Sequence, residues 1–328
     1  MLDIAQYFIE QSENKVRCTL CPHKCLITPG EKGICGVREN RDGKLYTLNY
    51  GKASSISIDP IEKKPLYHFY PGSDILSLGT YGCNFGCSFC QNWNISQEKP
   101  NLRDITPREV IEVALDRNLD SIAYTYSEPM VWYEFVKETS KLAVENNLKN
   151  VLVTNGYINP APLKELLTYI DAANVDIKSY KEDFYKQFTG GRLKPVLDAV
   201  EMMNSKIHLE ATTLIISDLN DDQKQLKGLF RWLKELDRGI PLHLSRYFPN
   251  YKMDRPATEV SKMKEVYDLA KQYLEHVYLG NVRMEEKKNT YCPSCGKEVI
   301  KRSIYSVNSK LKGNSCPFCG ETLAGVFK

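Results

Sequence analysis

Cys83-Asn84-Phe85-Gly86-Cys87-Ser88-Phe89-Cys90 is the stretch from which the rest of the chain can be read. It follows a short apolar run, Ile75 to Thr80, bounded by turn residues, which predicts a buried strand leading into a tight loop. Three thiols on one such loop suit three corners of a cubane iron–sulfur cluster, whose full ligation takes four cysteines. The missing fourth leaves one iron open, as a catalytic metal site keeps a position for substrate. The same spacing also fits a structural zinc or ferredoxin loop short of its fourth ligand, so the flanking sequence has to separate the two.

Downstream of this loop, short apolar runs alternate with amphipathic segments. Strands are expected at Ser121–Tyr124, Val151–Thr154, Ala172–Ile177, His208–Ile215, Leu242–Tyr247 and His276–Leu279. Thr106-Pro107-Arg108-Glu109 is a capping box with proline at the first helical position. Leu226, Leu229, Phe230 and Leu233 make one apolar helix stripe; Met263, Val266, Tyr267, Ala270 and Leu274 make another. Repeated β–α alternation implies parallel strands with right-handed crossovers. The units are too few for a closed eight-fold barrel, so the fold class is α/β, an open, partial (β/α)6 barrel over residues 46–285.

In such a barrel, function gathers at the C-terminal ends of the strands. The cysteine loop falls there, as do Glu128, Asn155, Asp176, Lys178, Glu210, Thr212, His243 and Arg246. A carboxylate can take an α-ammonium and a lysine or arginine an α-carboxylate, so together these residues suit a zwitterionic ligand. Taken singly, each is also ordinary strand-end polar surface.

The eleven cysteines fall into three groups that use all of them. An odd total with CxxC and CxxxC spacing disfavours a disulfide framework and points to metal ligation in a reducing cytosol. Cys18, Cys21, Cys25 and Cys35 form a loop-rich N-terminal module, residues 1–45, whose four thiols suit either zinc or an auxiliary iron–sulfur cluster. His23 sits within it and could serve as a ligand, but with four cysteines present it reads as a solvent-facing bystander. Cys292, Cys295, Cys316 and Cys319 form two knuckles with a zinc-ribbon pattern in a C-terminal module, residues 286–328. That module carries Lys297, Lys301, Arg302, Lys310 and Lys312 against Glu298, which suits a solvated face better than a nucleic-acid surface. The net charge of +3 is not a basic signature, because thiolate-bound metal at all three groups would bring the chain to about −2. No run is long and apolar enough to span a membrane, and the first ten residues, without a basic n-region, read as a surface helix. Residues 44–58 alternate like a small hairpin or meander, and the three prolines of Asp59–Gly72 predict an extended, charged connector in which His68 packs.

The spacing of three then two residues, with Phe89 before the last cysteine, resembles the signature of radical SAM enzymes. From about residue 16 to 328 the chain resembles a radical SAM family related to pyruvate formate-lyase-activating enzymes. It is closer to the branch named the AmmeMemoRadiSam system enzyme, whose gene neighbours encode Memo-like and AMMECR-type proteins. The motifs that carry this are Cys18–Cys35, Asp59–Gly72, Gly82–Asn92, Thr154-Asn155-Gly156 and Leu242-His243-Leu244-Ser245-Arg246. The resemblance implies a [4Fe-4S] cluster on Cys83, Cys87 and Cys90, its open iron chelating S-adenosylmethionine, and an electron donor of flavodoxin or ferredoxin type. It places Phe89 near the adenine, and Lys178 and His243 toward the methionine carboxylate. Glu128 stands where the superfamily's GGE motif grips the ammonium, although here the motif reads Tyr126-Ser127-Glu128. The expected activity is reductive cleavage of S-adenosylmethionine and hydrogen abstraction from a macromolecular substrate. A glycyl-radical activase and a non-catalytic zinc/iron–sulfur module that binds nucleic acid or carries electrons are the alternatives.

Overall fold

The structure, a computed structural model, describes residues 3–303 and 306–327. At its centre lies one sheet whose strands follow chain order: β1 (Ser55–Pro60), β2 (Asp74–Gly79), β3 (Ser121–Tyr124), β4 (Lys149–Thr154), β5 (Ala172–Asp176), β6 (His208–Ile215), β7 (Leu242–Arg246) and β8 (Val277–Gly280). Strands β2 to β8 pair in parallel, and β1 runs antiparallel to β2 at one edge. Parallel neighbours need crossovers, and helices supply them. These are α1 (Pro107–Asp116), α2 (Tyr133–Glu145), α3 (Pro160–Leu166), α4 (Leu193–Asn204), α5 (Gln223–Asp237) and α6 (Val260–Ala270). The expected strands are all present, one per helical crossover after β2.

Local chemistry accounts for the helices. Thr106 and Glu109 exchange side-chain and backbone hydrogen bonds at the start of α1, with Pro107 at its first position. Asp222 caps α5 by accepting from the backbone N–H groups of Lys224 and Gln225. Leu226, Leu229, Phe230 and Leu233 of α5, and Met263, Val266, Tyr267 and Ala270 of α6, are buried as their periodicity demands.

Three expectations are corrected. The first ten residues are not a surface helix: Asp3–Ile4 pairs with Lys44–Thr47, and Phe8–Glu10 pairs with Val16–Cys18. Met1 and Leu2 lie outside the described residues. Residues 44–58 do not make one meander. Lys44–Thr47 forms a hairpin with Arg38–Arg41, whereas Ser55–Pro60 joins the central sheet as β1. Nor is Asp59–Gly72 simply an extended, charged connector. Its Ile61, Leu66 and Phe69 are buried with Ile75, Ala123, Val151 and Ala172 of the strands, so the segment fills the barrel interior. After Pro60, the last residue of β1, the stretch makes one 3-10 turn at Ile61–Lys63 and then runs irregularly, with backbone groups met by buried side chains. The Tyr67 and His68 N–H groups donate to Glu210, and the Pro65 carbonyl accepts from Asn174.

The C-terminal module closes the other side of this plug. Its strands Thr290–Tyr291, Glu298–Arg302 and Val307–Ser309 form a small antiparallel sheet. Arg302, buried, donates to the Tyr67 carbonyl at 2.6 Å and lies over the Tyr67 ring. Val326 exchanges backbone hydrogen bonds with His68 and Tyr70. His68 packs as expected, held between the Ala324 carbonyl and the Tyr278 hydroxyl.

Candidate functional site

At the C-terminal ends of the strands lies a cavity of about 380 Å³. Cys83, Cys87 and Cys90 line one part of it, and Glu128, Asn155, Asp176, Lys178 and Thr212 line another. Alternation along β6 explains the last: His208, Glu210, Thr212 and Leu214 share one face of the strand, and Thr212 and Leu214 reach the cavity.

The cysteine loop is held from several sides. Gly86 N–H donates to the Thr189 carbonyl and Ser88 N–H to the Phe188 carbonyl, both within the π-helical turn Tyr185–Thr189. A Cβ on Gly191, two residues past this turn, would lie 2.2 Å from the Phe85 ring, so the chain must carry glycine where the loop crosses it. The Phe85 N–H donates to Cys83 Sγ at 3.3 Å, and Ser96 Oγ lies 3.2 Å from Cys90 Sγ. Burial pushes the Cys87 thiol up to about 12 and the Cys83 thiol well above its ordinary value. Thiols so placed lose their protons only to a cationic centre. Three sulfurs, one buried and two half-buried, at the edge of a cavity with room beyond them fit a cluster that keeps one iron open to a ligand.

Glu128 is buried, and its oxygens accept from Thr154 Oγ1 at 2.6 Å, Asn155 N–H at 2.8 Å and Met130 N–H at 3.0 Å. Burial raises its carboxyl to about 7 against these three donors. Asn155 ties this carboxylate to the thiols, because its side-chain amide donates to Asn84 Oδ1 at 2.9 Å and lies 3.7 Å from Cys83 Sγ. Lys178 Nζ meets Asp176 at 2.6 Å; burial opposes its charge, but Asp176 and the neighbouring Cys87 hold it above the usual lysine range. The cavity wall thus offers a carboxylate on one side and a lysine on another. Phe89 also lines it.

Three expected residues do not line the cavity. Glu210 is fully buried and is consumed by the plug: besides Tyr67 and His68 it accepts from His208 at 3.1 Å and His243 at 2.6 Å. Burial would raise its carboxyl, but the hydrogen bonds of the two histidines hold it well below the usual range. His243, so engaged, packs against Tyr67 and Tyr278. Arg246 donates to the Thr258 carbonyl at 2.6 Å and covers Phe248. Parity along the strands could not separate Glu210 and His243 from Asp176 and Thr212, because only the depth of the plug decides which inward residues meet open space; Arg246 pairs with Ile215 and so lies on the opposite face from His243 and Ser245. Nor is His23 a bystander, since its Nε2 lies 2.7 Å from the Asn84 carbonyl.

Other lining residues went unrecognised in the sequence. Tyr126, at φ 67°, takes the left-handed conformation that a glycine would adopt without strain. Its ring packs on Gly79, where a Cβ would lie 2.9 Å from it, and its hydroxyl donates to Asp59 at 2.5 Å. Lys64 lies over the same ring and pairs with Asp59 at 2.7 Å. Burial works against the Asp59 charge, yet the hydrogen bonds from Lys64 and Tyr126 hold its carboxyl far below normal. The one available signal was Lys63-Lys64 within the Asp59–Gly72 motif. The C-terminal knuckles do converge: Cys292 and Cys319 Sγ lie 3.6 Å apart and Cys295 and Cys316 Sγ 3.8 Å.

Comparison with known proteins agrees with this geometry. The Radical SAM superfamily pattern matches residues 77–230. A protein of Methanocaldococcus jannaschii, the uncharacterised MJ0808, is 44% identical over 97% of this chain and 98% of its own. The pyruvate formate-lyase-activating enzyme of Clostridium pasteurianum is 26% identical over 59% of this chain and 89% of its own. The crystal structure of Streptococcus suis SuiB bound to S-adenosylmethionine superposes with a TM-score of 0.52 at 14% identity, over 68% of this chain and 53% of that one, a likeness of fold. A superfamily that implies a [4Fe-4S] cluster and S-adenosylmethionine matches the stretch that holds the three thiols and the cavity wall, and the full-length likeness extends to both flanking modules; the chain is a radical SAM enzyme of the same family as MJ0808.

Proposed function

We propose that the chain cleaves S-adenosylmethionine at a cluster held by Cys83, Cys87 and Cys90 and directs the resulting radical to a hydrogen of a macromolecular substrate. One observation carries this: the three thiols, Glu128 and Lys178 line a single cavity at the strand ends. When bound, the cluster supplies the electron that splits S-adenosylmethionine into methionine and a 5′-deoxyadenosyl radical. Glu128 takes the methionine ammonium, and its three donors fix the carboxylate for that contact. Lys178 takes the carboxylate as its contact with Asp176 loosens, and Phe89 packs by the adenine. Tyr126, Lys64, Ser245 and Asn281 line the remaining wall and face the substrate. The test is anaerobic reconstitution with S-adenosylmethionine and reductant, reading 5′-deoxyadenosine. The wild type should form it and Cys87→Ala should not; formation by Cys87→Ala at the wild-type rate overturns the assignment of the thiols.

A second reading, activation of a glycyl-radical enzyme, draws on the likeness to the C. pasteurianum enzyme. It predicts a glycine Cα radical on a partner protein, visible by electron paramagnetic resonance. Memo-like and AMMECR-type proteins are the partners to include first, with mass spectrometry of the products. The C-terminal knuckles hold zinc in this proposal, their thiol spacing matching the roughly 3.8 Å between sulfurs of a tetrahedral site with 2.3 Å bonds.

A further inference from the structure

Cys18, Cys21, Cys25 and Cys35 line one cavity with apolar walls. Local structure gathers them. Val16–Cys18 pairs with Leu26–Ile27, and the Cys18 N–H donates to the Cys25 carbonyl, which sets the first and third cysteines side by side. Gly33 brings the Cys35 turn against Cys25, since a Cβ there would lie 3.7 Å from Cys25 Sγ. The spacing of the thiols differs from that of the C-terminal knuckles. Among the described residues, the knuckles are the group of three or more whose ligand atoms all lie within 4.8 Å of one another. A single tetrahedral ion needs that closeness. The N-terminal thiols, like Cys83, Cys87 and Cys90, stand wider around their space, as sulfurs do when each bonds a different iron.

Arg38 also lines this cavity and is 1% exposed. Its Nη2 donates to Glu134 at 2.5 Å and its Nη1 to the Gln6 carbonyl at 2.7 Å, while its Nε has no hydrogen-bond partner. Glu134 meets its charge, but a buried donor left without an acceptor is costly. The sulfurs of a cluster on four thiolates in this cavity are such acceptors.

The cavity also abuts the first site. His23, two residues from both Cys21 and Cys25, touches the Asn84 carbonyl, and Asn84 adjoins Cys83. On the other side, a Cβ on Gly82 would lie 2.7 Å from the Cys35 carbonyl oxygen. Gly82 alone therefore stands between Cys83 and Cys35 on one side, and the contact of His23 with Asn84 joins the two loops on the other. We propose that Cys18, Cys21, Cys25 and Cys35 hold a second iron–sulfur cluster that feeds electrons to the centre at Cys83, Cys87 and Cys90. A donor of flavodoxin or ferredoxin class gives up one electron. The second cluster gains it and passes it on, with no bond made or broken at either. The feeding role rests on the proposed function above; occupancy by iron does not.

Metal analysis and Mössbauer spectroscopy of anaerobically reconstituted protein test occupancy. With Cys83→Ala, Cys87→Ala and Cys90→Ala combined, the chain should keep cluster iron and about one zinc. An iron-free variant with two zincs overturns the second cluster while leaving the first untouched. A wild type that binds no iron overturns both. Redox titration of the wild type, read by electron paramagnetic resonance, needs no variant: two mutually broadened signals are expected, only one of them shifted by S-adenosylmethionine. One signal that accounts for all the iron refutes the proposal. Cys21→Ser with Cys25→Ser should lose the rapid phase of reduction by a ferredoxin-type donor yet keep reduction by dithionite. A retained rapid phase refutes the feeding role.

Discussion

Glu128→Gln separates charge from shape at the proposed ammonium contact. The wild-type carboxylate is buried, and burial sets its carboxyl at about 7 against an ordinary 4.5. Without a cation beside it, this shift costs about 3 kcal/mol of folding stability at neutral pH relative to a carboxyl of ordinary value. Folding stability contributed by this group therefore falls as pH rises from about 4.5 to about 7, because the folded state binds the extra proton in that window. An ammonium reverses the sign, since it binds the ionised form, so affinity for S-adenosylmethionine should drop about tenfold from pH 8 to pH 6. Glutamine keeps the shape but loses the charge, and its amide cannot accept from both the Thr154–Met130 side and Asn155 N–H. Losing one charge-assisted hydrogen bond costs about 1.5–3 kcal/mol, or roughly 10- to 150-fold in Kd. Isothermal titration with S-adenosylmethionine under non-reducing conditions, from pH 6 to 8, reads both effects. Binding by Glu128→Gln within about twofold of wild type, or a pH slope equal to that of wild type, refutes the role given to this carboxylate.

Glu210→Gln should destabilise rather than selectively impair ligand binding. Its carboxylate holds two backbone N–H groups of the plug and two histidines, so thermal denaturation should show a loss of about 2–4 kcal/mol. A wild-type melting temperature with weakened S-adenosylmethionine binding would instead return Glu210 to the ligand site. Gly82→Ala should damage both thiol groups at once, because at φ 84° its Cβ would meet Val37 at 2.6 Å and the Cys35 carbonyl at 2.7 Å. Iron content and melting temperature should fall together; a variant with wild-type values of both would show that the two loops do not press on each other. Cys316→Ala should lower stability but spare 5′-deoxyadenosine formation in the folded fraction, a separation read by comparing denaturation with turnover per bound iron. Loss of cluster iron in that variant would show that the module's contacts through Arg302 and Val326 reach the site.

Local pattern was enough for much of this protein. The Cys83–Cys90 spacing, the apolar strand runs, the Thr106 capping box and the helix stripes each depend on residues a few positions apart, and periodicity records them directly. The strand-end placement of Glu128, Asn155, Asp176, Lys178 and Thr212 followed from the same pattern, because parallel β–α units put their loops at one end. What tertiary structure decided was depth and contact across distant segments. Asp59–Gly72 carries charges and prolines that read as an extended, charged connector, yet it enters the barrel, where Glu210, Asn174 and Arg302 satisfy its backbone. Those partners come from three separate stretches, so no local window could reveal them. The same plug withdraws Glu210 and His243 from the cavity, although their strand parity matches residues that reach it. Likewise, CxxC spacing marks three groups of thiols but not how far apart their sulfurs stand. That separation, set by how each loop packs on its neighbours, distinguishes the close knuckles at Cys292–Cys319 from the two wider sites that lie against each other through His23 and Gly82.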